Sequence, residues 1–374
     1  MTCDGAWACL PSGLATVSGV SASRDPIADL RRIAFLLERA AEPTFRVKAF
    51  RTAAGIAEAV PPDELAARAE AATLSELAGI GEVTARCITE SLRGEEPAYL
   101  ARLAATELST VDDATAALGS ALRGDCHAHS DWSDGGSPIH EMALAARDLG
   151  HEYFVLTDHS PRLKVANGLT AERLEKQLDV VAQLNIDFAA DAASGGAAPF
   201  RILTGIEVDI LDDGTLDQKP SLLARLDLVV ASVHSKLRMP SKELTPRLVA
   251  AVSNPLADVL GHCTGRLVRG ERGTRPESEF EADIVFAACE QFGVAVEINS
   301  RPERLDPPMR LLRMALEAGC LFAIDTDAHA PGQLDWQVNG CERAVRCGVT
   351  PEQIVNTWVA EDLLAWTVQH SVRP

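Results

Sequence analysis

No apolar run in this sequence approaches the ~20 residues that a membrane-spanning helix needs. No two cysteines form a CxxC pair either. The nine cysteines are scattered, which speaks against a disulfide framework, suits reduced thiols and predicts a cytoplasmic protein. Positive charge is in short supply. Lys and Arg number 35 against 54 Asp and Glu, a net charge of −19. That balance argues against a generally basic nucleic-acid surface, but leaves room for a local basic groove or a site whose own carboxylates hold cations. Aromatic residues are scarce, at 5%, and alanine is abundant. The first residues, MTCDGAWACLPSGLATVSGVSASRD, lack a basic segment and a firm apolar core. They read as a disordered tail over 1–24 and not as a signal peptide.

What is present is ordinary in bulk and informative in order. With 374 residues, 47% hydrophobic and 24% charged, the chain has globular composition and a length that predicts two domains. Residues 25–110 read as all-helical. Ile27, Leu30, Ile33, Ala34 and Leu37 recur at helical spacing after an Asp25-Pro26 start. Further helices are expected over Val47–Ala59 and Asp63–Ala72. The stretch LSELAGIGEVTARCITESL reads as a short helix, a hairpin at Gly79, Ile80 and Gly81, and another helix. Residues 111–120 read as a linker and Ala189–Pro199 as a flexible surface loop. From Ala121 onward, short apolar runs alternate with helical segments. Seven such runs in about 250 residues predict an α/β domain over 121–374, a TIM-like barrel of seven parallel strands.

The histidines sit where those strands end. GDCHAHSDWSDG places His127 and His129 two residues apart, so on one strand face, with Asp134 shortly after. TDH puts Asp158 and His159 after the second strand. GIEVD places Glu207, SVHS His234, GHCTGR His262, and TDAH Asp327 and His329. In a parallel barrel these ends share one rim, the rim that carries active sites. Six imidazoles with Asp134, Glu207 and Asp327 make nine N/O donors and no thiolate. One zinc takes about four, so nine imply two or three divalent ions, zinc, manganese or iron. Asp125 and Asp158 read as carboxylates that hold a ligand histidine by its other nitrogen. His140, His151 and His370 fall away from the rim. Cys126 and Cys263 read as small hydrophobes of the barrel wall.

HAHS with SDG, TDHS, GIEVD, SVHS, GHCTGR, EINSRPERLD and TDAH, in this order, resemble the PHP (polymerase and histidinol phosphatase) family. The nearest likeness is to the PHP domain of bacterial family X DNA polymerases, over roughly Arg123 to Thr367. The resemblance implies a distorted (β/α)7 barrel and a trinuclear site on His127, His129, Asp134, His159, Glu207, His234, His262, Asp327 and His329. The N-terminal helices are similar to the lyase-type domain of those polymerases, with a helix-hairpin-helix at LAGIGEVTARCI. Such a hairpin would let the backbone of Gly79, Ile80 and Gly81 approach a DNA phosphate. The net charge of residues 1–120, 11 Lys and Arg minus 17 Asp and Glu or −6, works against that binding. Arg46, Lys48 and Arg51 offer a small basic strip. The lyase lysine of the family would fall near Cys87, so Schiff-base chemistry is not expected. No paired-carboxylate palm motif is present, which predicts a chain without polymerase activity.

The sequence thus predicts a metal-dependent phosphoesterase acting through metal-activated hydroxide. Arg266, Arg301 and Arg304 are candidates to clamp phosphate oxygens, with Lys236 a weaker one. The attached hairpin favours a nuclease on DNA 3' ends, a 3'-5' exonuclease or an end-cleaning enzyme. A small-molecule phosphatase, of the histidinol-phosphate or nucleotide type, is the alternative. A metal-stabilised, non-enzymatic DNA-repair interaction module is the third reading.

Overall fold

The structure, a computed structural model, describes residues 24–105, 111–270 and 273–371, without the side chains of 370 and 371. The expected tail, apart from Arg24, lies outside the described residues, as do 106–110 and the His370 side chain. The chain divides into two units: Met1–Ile33 with Lys48–Ala105, and Ala34–Val47 with Thr106–Pro374.

The first unit is all-helical over its described residues, as expected. Helices Pro26–Arg39 and Thr44–Ala59 run across its boundary, and Pro62–Glu70, Glu82–Leu92 and Ala98–Ala104 lie within it. Pro62 opens its helix at the position where the missing N–H costs nothing. Leu30, Ile33, Phe50, Ala53, Leu65, Leu74, Ile80 and Ile88 are buried. Gly79 has φ +98°, and a Cβ there would sit 2.5 Å from Ile56 Cδ1. The positive φ is what calls for glycine at this hairpin turn, with the tip of Ile56 packed close beside it.

The expected linker is instead a helix, Asp113–Ala121, packed within the second unit. Asp112 caps it by accepting from Thr115 N at 2.9 Å, and Thr115 and Leu118 are buried. The overlooked signal is that N-cap aspartate ahead of an alanine-rich run. Likewise, helix Ala171–Ala193 runs well into the stretch expected as a loop. Alanine has the best helix propensity, and only Gly195 and Gly196 end it.

Seven parallel strands follow in sequence order: β1 Gly124–Ala128, β2 Tyr153–Leu156, β3 Arg201–Asp209, β4 Leu228–Ser232, β5 Val259–Leu260, β6 Ala295–Asn299 and β7 Phe322–Asp325. They form a nearly closed barrel. Alternate residues Ile206, Val208, Val229, Ala231, Val296 and Ile298 pack outward against the surrounding helices. Cys126, Tyr153, Val155, Leu203, Leu228, Val230, Val259, Ala295 and Ala323 fill the inside together with Val355 and Leu363. The period of two continues along each strand, so the face that carries Leu203 also carries Glu207. The seam between β1 and β7 is stitched by side chains. Asn356 Nδ2 and Gln337 Nε2 each lie within 3.1 Å of both Gly124 O and Ile324 O. A single parallel bridge, Ala128 to Ala328, continues it toward the mouth. Among the described residues no helix is long and apolar enough to cross a membrane.

Candidate metal centre

Glu207 lies at the middle of the barrel mouth, fully buried near the end of β3. Its Oε2 is 2.7 Å from His159 Nδ1, 3.4 Å from His127 Nε2 and 3.6 Å from His129 Nε2. Its Oε1 is 2.9 Å from His262 Nε2 and 3.2 Å from His234 Nε2. Asp327 Oδ1 is 3.4 Å from His129 Nε2. Asp134 Oδ1 is 3.3 Å from His329 Nε2 and 3.5 Å from His159 Nε2. All nine residues singled out in the sequence therefore converge. Three overlapping groups have ligand atoms within 4.8 Å of one another: His129, Asp134, His159 and His329; His127, His129 and Asp327; His159, Glu207 and His234. His262 joins through Glu207.

The strand pleat alone does not align His127 with His129. His129 lies one residue past β1, and the β1–β2 register shifts between Asp125 and Ala128. The two rings still meet, with centroids 5.1 Å apart. Asp327 sits just past β7 at φ +53°, a left-handed backbone that aspartate tolerates better than most residues.

The donor set fits divalent cations. Most of the buried side-chain nitrogens and oxygens left without a hydrogen-bond partner belong to His127, His129, His159, Glu207, His234 and His262. Buried polar atoms are normally paired, so a cluster of orphans around one carboxylate marks where a ligand belongs. Burial opposes charge on Glu207, but His234, His159 and His127 hold its carboxyl well below the usual range. Asp327 is held well below as well, against its burial, chiefly by Arg304. Burial and the rings of His329 and His159 pull His129 down to about 3, so it is a neutral imidazole, the form that binds metal. His234 is pushed up to about 9 because Glu207 and Asp209 outweigh its burial.

The supporting carboxylates are not the ones expected. Asp125 accepts from the His127 backbone N–H at 3.0 Å and from the Thr326 hydroxyl, and it touches no histidine ring. Asp158 accepts from Ser130 N, Ser130 Oγ and Gln177 Nε2, and so braces the loop leading to Asp134. The carboxylates nearest the outer ring nitrogens are Glu297, hydrogen-bonded at 2.6 Å to His127 Nδ1, and Asp209, at 3.6 Å from His234 Nδ1 and so beyond a hydrogen bond. Both stood in quoted motifs, EINS and GIEVD, and strand alternation could have placed them on the inner face.

The basic candidates separate. Arg304 Nε is 3.0 Å from Asp327 Oδ2. Arg301 Nη1 is 2.9 Å from Asp327 O and 3.1 Å from His329 Nδ1, and its guanidinium lies over the Trp336 ring. Arg266 is turned onto backbone carbonyls, Arg304 O at 3.1 Å and Leu305 O, which ties two rim loops together. It also lines a cavity of about 700 Å³ with Arg275, Glu277, Phe280 and Arg310, to which none of the nine donors contributes. Lys236 is exposed and paired with Asp212 at 2.6 Å, outside the cluster. His140 stacks on Phe188 instead. In the helical unit, Gly81 N donates to Thr84 Oγ1 at 3.0 Å, and burial pushes the Cys87 thiol up to about 11. That thiol is no substitute for a lyase amine.

The loop after His159 is built without slack. A Cβ at Gly168 would lie 1.9 Å from Ser160 O, backbone against backbone. Gly168→Ala is expected to destabilise the barrel unit by about 1–3 kcal/mol through overpacking, read as a lower thermal midpoint. An unchanged midpoint would show that the loop yields freely.

Residues 125–301 match the PHP domain. The chain is 39% identical over 245 residues to the DNA polymerase/3'-5' exonuclease PolX of Bacillus subtilis (strain 168), across 66% of this chain and 41% of that protein. It therefore spans about two fifths of that relative's length. It is 27% identical over 252 residues to a "probable phosphatase" of Thermoanaerobacter sp. (strain X514), across 63% of this chain and 91% of that one. Among solved structures, it is similar to histidinol phosphate phosphatase from Lactococcus lactis complexed with zinc, L-histidinol and phosphate. That likeness has 17% identity and a TM-score of 0.44, over 61% of this chain and 95% of that one. Residues 125–301, which make up most of the barrel, therefore belong to the PHP domain family.

Proposed function

We propose that the barrel mouth holds two or three divalent ions, zinc, manganese or iron, and hydrolyses phosphodiester bonds at DNA 3' ends. The observation that carries the metal centre is the buried Glu207 carboxylate, unpartnered and facing imidazoles from four rim segments. Bound there, such ions supply hydroxide near neutral pH and stabilise charge on phosphoryl oxygens. His127, His129, Asp134, His159, Glu207, His234, His262, Asp327 and His329 hold them. Arg301 and Arg304 set the charge of Asp327 and lie beside it, where they can receive a phosphate oxygen. Arg266 fixes the loop that carries Arg304 and does not itself meet substrate.

DNA as substrate is supported by the PolX relative, whose name includes a 3'-5' exonuclease. It is also supported by the hairpin at Gly79, Ile80 and Gly81, whose backbone would meet phosphate. A small-molecule phosphatase is the second reading, favoured by the 91% coverage of the "probable phosphatase" relative. Purified protein with Mn²⁺, given a 3'-labelled oligonucleotide and a panel of phosphomonoesters, separates the two. Shortening of the oligonucleotide is expected; phosphate released from monoesters alone would overturn the nuclease reading.

A further inference from the structure

We infer that Glu297 is a positioning residue of the metal centre, and that it makes the donor set of His127, His129 and Asp327 the tightest of the three. The inference rests on the barrel mouth being a metal centre. Glu297 is fully buried on β6, on the face that alternates with the outward Val296 and Ile298. Its Oε1 lies 2.6 Å from His127 Nδ1. With Glu297 accepting at that distance, a His127 imidazole that serves as a metal ligand keeps its one hydrogen on Nδ1. The Nε2 lone pair is then committed to the cluster, 3.4 Å from Glu207 Oε2. The other oxygen, Oε2, accepts the His262 backbone N–H and lies 3.3 Å from Asn299 Nδ2. That amide in turn lies 3.5 Å from Asp327 Oδ2. One carboxylate on β6 therefore reaches donors that follow from β1, β5 and β7.

The other histidines lack this arrangement. His129 Nδ1 and His262 Nδ1 have no hydrogen-bond partner. His234 Nδ1 is 3.6 Å from Asp209, beyond a hydrogen bond. His329 Nδ1 faces the Asp327 carbonyl at 2.8 Å and the Arg301 cation at 3.1 Å, with the Asp327 carboxylate at 3.6 Å, again beyond a hydrogen bond. His159 Nδ1 faces Glu207 itself. A carboxylate behind an imidazole raises its basicity as a ligand. Burial runs the same way. His127, His129 and Asp327 side chains are at most 2% exposed, whereas Asp134 is 32% and His329 19% exposed. An ion on His127, His129 and Asp327 would be shut away from water, whereas one on Asp134 and His329 would face it.

The test is metal binding itself, on the whole chain stripped of metal and titrated with Co²⁺, followed by visible absorption and by the bound ions per chain after dialysis. Wild type is expected to show two classes of affinity. Glu297→Gln keeps the shape and removes the charge; its tight class is expected to weaken about 10–100-fold while the weak class stays. Glu297→Asp, shorter but charged, is expected to recover part of the loss, and it carries the test should the glutamine variant not fold. Unchanged binding, or equal weakening of both classes, overturns the role of Glu297. A wild-type protein that takes up no ion overturns the metal-centre reading instead.

Discussion

Glu207→Gln is expected to lower hydrolysis more than a hundredfold and to leave the dialysed protein with less metal per chain. Losing an outer hydrogen-bond partner of a metal ligand typically costs about 10–100-fold. Glu207 is a different case, because its two oxygens face separate groups of histidines: His127, His129 and His159 on one side, His234 and His262 on the other. Glutamine fits the space but brings no charge and only one oxygen. Without that charge, cations held among these five imidazoles lose the carboxylate that offsets them, and an uncompensated buried charge is costly. Elemental analysis and kcat/KM with Mn²⁺ check the result, with circular dichroism as the control for folding. Normal metal content with normal turnover would show that Glu207 does not hold the ions.

Chelation should be as severe and should be reversible. Protein dialysed against EDTA is expected to lose turnover to background and to regain it with Mn²⁺. Its barrel should melt at a lower temperature while metal-free. An ion present at a hundred times its Kd, and bound only by the folded state, contributes about 2.7 kcal/mol. For a unit of this size each kcal/mol moves the thermal midpoint by about 2–4 °C. One ion lost is therefore a shift of roughly 5–10 °C. The helical unit, with no such cluster among its described residues, should melt as before. Product formed in the presence of chelator would speak against metal chemistry.

Much of the centre was legible in the sequence because it is written at strand ends. A short apolar run followed by a histidine or an acid, six times in seven runs, needs only the parallel-barrel rule to bring the donors to one rim. All seven strands lie where the apolar runs predict them. The misreadings concern alanine. The stretch 111–120 reads as a linker and Ala189–Pro199 as a loop, because small residues dilute the hydrophobic signal. The structure makes one a capped helix and extends a helix into the other. The basic residues mislead differently. Arg266 lies in the same kind of motif as the donors, yet its guanidinium closes on two carbonyls. A long side chain can reach in several directions, and spacing does not say which.

What the chain order indicated is the set of candidate donors, which the fold brings together, and the parallel topology. Each follows from local patterns: the period of two along a strand, the polarity of its last residues, the short turns after it. Which carboxylate stands behind which ring came only with tertiary structure. Asp125 is two residues from His127 and ignores its ring; Glu297 is 170 residues away and binds it. Proximity along the chain counts for little once a strand has turned a backbone N–H, and not the imidazole, toward its neighbour. The barrel's closure, and the stagger of each strand against the next, chose the partner.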